Sequence, residues 1–356
     1  MALWDKEYLK LCKKILDEGV EVENRTGINT IKLPAYSFEF DLEKEFPFLT
    51  TKQLFYRQAI LEMLWIYQVK SNDVRWLQER NVHIWDEWEI DEDGIYRTYR
   101  GLKSDDEYNS HLEDGVEYID NEVPVLDVDG NPVLDENGKP IKTKAYGDKA
   151  KIDVSVYQGK EIKLGKIITS AKYFGKDWVH TIGTAYGWIA NKYSLPDKLI
   201  ETLKNNKTDR RMVMSLWQNE FLSTAVLPSC VWSSEWDVTN GHLNAWVHQR
   251  SCDVPLGLPF NVTQYSILLY MLAHVTGLKP GKLNWSIKDA HIYVNQIEGI
   301  KEQIKRGEEL EDYPAPELWL NPDVKDFFEF DNSKDLKDIK VLKYQHHGKI
   351  SFPITQ

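Results

Sequence analysis

The sequence predicts an α+β fold, a mixed sheet with helices packed against it. Three observations point there. Short runs of strand character recur at 27–40, 212–217, 231–238, 243–250 and 282–287. Two long apolar stretches with helical spacing, 53–69 and 260–276, lie among them. Asn240-Gly241, between the runs at 231–238 and 243–250, is a two-residue hairpin signal.

Taken in order, residues 4–18 read as an amphipathic helix, because Leu9, Cys12, Ile15 and Leu16 recur on one face. That makes Cys12 a core residue. The segment 27–40 alternates, with Ile31, Leu33 and Phe38 suggesting strands. The helix at 53–69 carries one carboxylate, Glu62, among Ala59, Ile60, Met63, Leu64 and Trp65. A carboxylate buried there is costly unless paired or functional. Residues 89–183 change character: they are acidic, with Asp129-Gly130 and Asn137-Gly138 turns between short β-type runs. They read as a β-rich insertion. An EF-hand reading of 127–138 fails on ligand spacing. The core pattern resumes at Ala185 with a helix at 196–206, the hairpin, the apolar helix, a strand at 282–287 and a helix at 290–306.

With 356 residues, 42% of them hydrophobic, the chain can bury one large core or two smaller ones. Its net charge of −12 argues against a nucleic-acid polymer as main partner. It does not exclude a small anion held by convergent arginines. The three cysteines, Cys12, Cys230 and Cys252, have neither disulfide nor zinc spacing. The N-terminus lacks the apolar stretch of a signal peptide, and the longest apolar run is too short to span a bilayer. The expectation is a cytoplasmic protein with no bound metal and no membrane partner.

Cys230 stands just before a strand, and Gln249-Arg250-Ser251-Cys252-Asp253 lies on or just beyond the strand paired with it. A neighbouring arginine stabilises a thiolate and so makes a better nucleophile. Arg210 and Arg211, with Arg25, Arg250 and Ser251, could form a phosphate site of planar donors. Asn261 begins the apolar helix, as a cap or as an amide able to match a pyrimidine edge. His291 and Tyr293 share a side if the chain is extended there. The residues alone support a thiol enzyme acting on a small phosphorylated substrate.

Nine segments together resemble the thymidylate synthase family. They are ENRTG (23–27), FPFLTTK (46–52), LEMLW (61–65), NVHIWDEW (81–88), AYG (185–187), DRR (209–211), LPSC (227–230), HQRSCDVPLGLPFN (248–261) and DAHIY (289–293). They run in family order across the chain except 89–183. The resemblance implies one catalytic domain, 1–356, interrupted by that insertion. It implies a large twisted sheet and a homodimer joined sheet to sheet. The activity implied is reductive methylation of dUMP to dTMP, with methylenetetrahydrofolate as one-carbon and hydride donor.

It also implies roles. Cys230 attacks carbon 6 of uracil, and Arg250 activates it and helps hold the phosphate. Arg25, Ser251 and, from the other subunit, Arg210 and Arg211 bind phosphate. Gln249 and Asn261 serve the nucleotide, Asn261 reading the uracil edge, while His291 and Tyr293 bond the deoxyribose hydroxyl. Glu62, with Tyr186 and water, moves protons. Asp253, Gly257, Trp85, Trp88 and Leu227 meet the folate, and Lys52 its glutamate tail.

The sequence departs from the family at two points. Val231 stands where many members have His, so the proton network near the base must be arranged differently. The chain ends in polar Gln356 where an apolar residue usually closes the site. A deoxyuridylate hydroxymethylase would share Cys230 and Asn261, but Trp85 and Leu227 favour a dry site. An inactive nucleotide- or RNA-binding homologue would have no need to retain Cys230, Glu62 and Asn261 together.

Overall fold

The computed structural model describes residues 1–101, 122–144, 153–157, 160–164 and 166–354. Gln356 lies outside them. Five strands form the main sheet, in the order Val213–Ser215, Val231–Thr239, His242–Gln249, Lys279–Ile287, Tyr36–Asp41. His242–Gln249 pairs with Lys279–Ile287 in parallel, and the other pairings are antiparallel, so the sheet is mixed. The expected hairpin forms: Asn240 and Gly241 both have positive φ, 51° and 77°. That is the backbone a two-residue turn needs to match strand twist.

A second sheet continues from the first. Its order is Val20–Val22, Thr30–Leu33, Ala290–Tyr293, Cys252–Asp253. Three strands pass between the sheets, across Pro34 and Ala35, across Arg250 and Ser251, and across Lys288 and Asp289. The ladder thus breaks at three neighbouring points, and the break faces the central helix.

That helix, Gly257–Thr276, is apolar on most sides and therefore buried. It stops at Gly277, whose φ of +66° suits a left-handed cap. It packs on helix Tyr56–Tyr67, which is buried from Ala59 to Tyr67 except at Glu62, a residue open to a cleft. The first helix, Leu3–Glu18, buries Leu9, Cys12 and Ile15 as its spacing requires. Burial pushes the Cys12 thiol up to about 12, which keeps it inert.

One element differs from its sequence pattern. The stretch 290–306 is not one helix. Ala290–Tyr293 is a fully buried strand between Thr30–Leu33 and Cys252–Asp253, and the helix is Ile297–Glu309. Pairing on both edges satisfies the backbone of 290–293, and that outweighs a local helical preference.

Within 89–183, strands Ile95–Gly101, Glu122–Leu126, Lys142–Lys144 and Lys166–Tyr173 make a four-stranded sheet. The Gly130 and Gly138 turns adopt positive φ, as their sequence signals predict. The two ends of the excursion are tied together, Ile90 to the Thr181 carbonyl and His180 to that of Ile90, both at 2.9 Å.

Candidate active site

A cavity of about 480 Å³ opens where the two sheets break. Its lining includes Arg25, Glu62, Trp88, Leu227, Cys230, Arg250, Ser251, Asp253, Gly257, Asn261, His291 and Tyr293. Twelve residues singled out from the sequence therefore share one cleft, drawn from segments spread over most of the chain. Such a volume suits a small-molecule site.

Cys230 sits at the edge of strand Val231–Thr239, opposite Arg250. The Arg250 backbone N–H donates to the Cys230 carbonyl at 2.9 Å. The guanidinium donates to the carbonyls of Ser229 (3.1 Å) and Pro228 (2.6 Å), which fixes it 3.7 Å from the Cys230 Sγ. Burial pushes the Cys230 thiol up, while Arg250, Tyr186 and Arg25 pull it back down. The Cys230 N–H donates to the Tyr186 hydroxyl at 3.0 Å. Tyr186 is held at a φ of +44°, a costly backbone state for a tyrosine. Gly187 after it has no room for a side chain: an added Cβ would stand 1.9 Å from the Ser71 carbonyl oxygen.

Glu62 enters the cleft from the side. Burial raises its carboxyl to about 7, against the opposing pull of donors from Trp85 and Gln264. Trp85 Nε1 donates to Oε1 at 2.7 Å, and Gln264 Nε2 to Oε2 at 2.5 Å. A carboxylate titrating near neutrality can both take and return a proton. Val231 is a buried apolar residue at the strand start, and the donors to the Glu62 carboxyl are Trp85 and Gln264.

The opposite wall carries Asp253, His291 and Tyr293. Asp253 Oδ1 accepts from the Leu256 N–H (3.0 Å) and Oδ2 from Gln296 (3.1 Å). His291 Nδ1 is bonded to Asp289 Oδ1 at 2.9 Å, and Lys32 holds the other Asp289 oxygen, also at 2.9 Å. That orients the imidazole, as an acceptor on one ring nitrogen must. The His291 and Tyr293 rings meet edge-on, 5.2 Å apart. Burial lifts the Tyr293 hydroxyl to about 12, so it stays a neutral hydrogen-bonding group.

Six of the expected residues stand elsewhere. Tyr186 lies behind Cys230 and Trp85 behind Glu62, their rings 5.3 Å apart. Gln249 is buried behind Asn261 and donates to its Oδ1 at 3.1 Å. Lys52 is almost wholly buried, bonded to the Pro255 carbonyl and 4.6 Å from the Phe352 ring. Arg210 and Arg211 are exposed and outside the lining; Arg211 forks onto Asp209 of its own chain, with Nη2 2.9 Å from Oδ2. Gln356, at the position expected to close the site, falls outside the described residues, but Ile354 two residues before it lines the cleft.

The sequence model of the thymidylate synthase family matches residues 6–356. The chain belongs to the thymidylate synthase family. It is 37% identical over 355 residues to a thymidylate synthase of Clostridium beijerinckii, with 100% of both chains covered. Its fold superposes on the thermostable thymidylate synthase A from Bacillus subtilis with a TM-score of 0.69, 29% identity and 99% of each chain covered. Membership makes the chain a methyltransferase of dTMP biosynthesis with thymidylate synthase activity.

Reading the sequence missed several groups that shape this thymidylate synthase cleft. Gln264 is one turn beyond Asn261 and nearly buried; a glutamine in so apolar a helix was the available signal. Gln296, Lys32 and Asp289 act through other residues, and their contacts span from 2 to 257 positions. Spacing can reveal the Asp289–His291 pair but not the lysine that clamps it.

Proposed function

We propose that this cleft performs the reaction by covalent catalysis on dUMP, with methylenetetrahydrofolate as co-substrate. The observation that carries the reading is the convergence of Cys230 with its arginine, Glu62 and the Asn261 amide on one cavity. The Cys230 thiolate adds to uracil carbon 6. Electrons of the carbon 5–carbon 6 bond move toward oxygen 4, where the Asn261 NH2 group can donate to the developing charge. Arg250 favours the thiolate before addition. Glu62 removes the proton from carbon 5 once that carbon has been alkylated, and Trp85 and Gln264 hold its two oxygens in place. Folate, when bound, supplies the one-carbon unit and then the hydride. Trp88, Leu227 and Gly257 are its proposed wall and Asp253 its polar contact; Lys52 would meet the glutamate tail only by leaving the Pro255 carbonyl.

Arg25, Arg250 and Ser251 are the proposed phosphate group, and His291 and Tyr293 the sugar contacts. The reading is of a homodimer. Val213, Trp232 and Trp246 are large apolar residues left 49%, 37% and 52% exposed on the outer face of the main sheet. Contiguous exposed apolar surface marks an interface. A second copy packed there would carry Arg210 and Arg211 across to complete the phosphate site. The chain is read as one catalytic domain over 1–356, with 89–183 a peripheral elaboration, working in the cytoplasm. Among the described residues no helix is long and apolar enough to cross a membrane.

The test is incubation with 5-fluoro-dUMP and methylenetetrahydrofolate, followed by mass spectrometry. A covalent ternary adduct on Cys230 is expected, and dTMP as the product from dUMP. No adduct, or a hydroxymethyl product, would sink this reading.

A further inference from the structure

Three amides, Asn261 in the cleft and Gln249 and Gln264 buried behind it, form a directed chain. Trp285 Nε1 donates to Gln249 Oε1 at 3.0 Å. Gln249 Nε2 donates to Asn261 Oδ1 at 3.1 Å, and Asn261 Nδ2 to Gln264 Oε1 at 3.2 Å. Gln264 Nε2 then donates to the Ala59 carbonyl (3.2 Å) and to Glu62. The two ends have no freedom. An indole N–H is only ever a donor, and a backbone carbonyl only ever an acceptor. Turning any one amide over would set donor against donor and acceptor against acceptor. Trp285 is wholly buried, and Gln249 and Gln264 are 3% and 5% exposed, so water cannot repair such a mismatch.

We infer that Trp285 and Gln264 are positioning residues that lock the direction of the Asn261 amide from both ends, and thereby set the choice of uracil over cytosine. The inference rests on the reading that Asn261 faces the pyrimidine. With the amide locked, its remaining acceptor capacity lies on the Gln249 side and its remaining N–H on the Gln264 side. Uracil offers a donor at nitrogen 3 and an acceptor at oxygen 4, which fits one fixed amide. Cytosine reverses both, and the lock removes the turn that would accommodate it. The lock is double: either end alone still directs Asn261. The same chain ends on Glu62, so the group that reads the base and the group that takes its proton share one network.

The experiment compares dUMP and dCMP in the full-length protein, as kcat/KM for dUMP and as the inhibition constant of dCMP against it. The variants are Trp285→Phe, Gln264→Leu, their double, and Asn261→Asp as control. Phenylalanine keeps the edge-on packing against Tyr265, whose ring lies 5.5 Å from Trp285. Each single variant should weaken the preference for dUMP only slightly. The double should weaken it about tenfold or more, beyond the product of the singles, because the two ends are redundant. Gln264→Leu also removes a donor from Glu62, so the acidic limb of its pH–rate profile should move to higher pH, while that of Trp285→Phe stays. If Asn261→Asp changes the preference and the double keeps the wild-type ratio, the lock is refuted while the base-reading role survives. If Asn261→Asp also leaves the ratio unchanged, the base-reading role itself falls. Should the double fail to fold, by circular dichroism, Gln249→Glu combined with Gln264→Leu takes its place. With the Gln264 end removed, an ionised carboxylate at 249 accepts only, so the Asn261 NH2 turns toward it and dCMP should gain relative to dUMP. An unchanged ratio in that variant refutes the lock equally.

Discussion

In the cleft, the buried Gln264 and Trp285 find partners far along the chain; in the excursion at 122–144, the turn carboxylates Asp127 and Asp135 find theirs within four residues. Gln264 reaches Glu62 over 202 positions and Trp285 reaches Gln249 over 36. Asp127 and Asp135, by contrast, accept from backbone N–H groups two and four residues on, at 2.8 to 3.0 Å. The first arrangement depends on the whole sheet and the central helix being in register. The second needs only a tight turn with Gly130 or Gly138 at positive φ. Among the described residues, none between 89 and 183 lines the cleft. The difference teaches where this chain is brittle and where it is tolerant.

The sharpest break of that contrast lies at Cys230. Cys230→Ser keeps shape but replaces an activatable thiol with a neutral hydroxyl, so turnover should fall roughly a thousandfold or more with the melting temperature little changed. Retained dTMP synthesis in Cys230→Ala would rule out covalent catalysis.

Glu62 should come next. Its carboxyl titrates at about 7 in the folded chain because it is buried. The ionised form is the base, so the rate should fall as pH drops through about 7 and level off above it. Glu62→Gln should lose about a hundredfold or more in kcat and with it this acidic limb. A pH–rate profile of the mutant that keeps the limb would assign it to another group.

A third measurement asks whether the cleft is completed by a second copy. Mixed Cys230→Ala and Arg211→Glu proteins, each inactive alone, should recover up to about a quarter of wild-type activity once subunits exchange, since a hybrid dimer has one intact site. No recovery after exchange is confirmed by mass would confine each site to one chain.

Within the cleft, one methyl group should matter: Gly187→Ala must displace the Ser71 backbone or Tyr186, and activity should drop about tenfold through the shifted Cys230 partner. The smallest effect belongs to the excursion. Gly138→Ala puts a Cβ on a residue at a φ of +76°, where open space surrounds it. It should cost about 1 kcal/mol locally, read as faster hydrogen exchange at 122–144, with kcat/KM within twofold of wild type. A larger loss of activity would tie the excursion to catalysis.

Whatever repeats or turns locally was legible in the order of residues. The first helix, the apolar central helix and the Asn240-Gly241 hairpin follow from spacing and turn chemistry, and the block at 248–261 with Cys230 upstream named the family. Burial of Glu62 was legible because a single carboxylate stood in an apolar helix. Tertiary structure alone decided the rest. It made a strand of Ala290–Tyr293, because two neighbouring strands offered partners for its backbone. It set Gln264 against Glu62, and it ran three amides in one direction from Trp285. Local preference depends on neighbours three or four residues away. The direction of a buried amide depends on which donor or acceptor the fold brings to each end of it, and no sequence spacing records that.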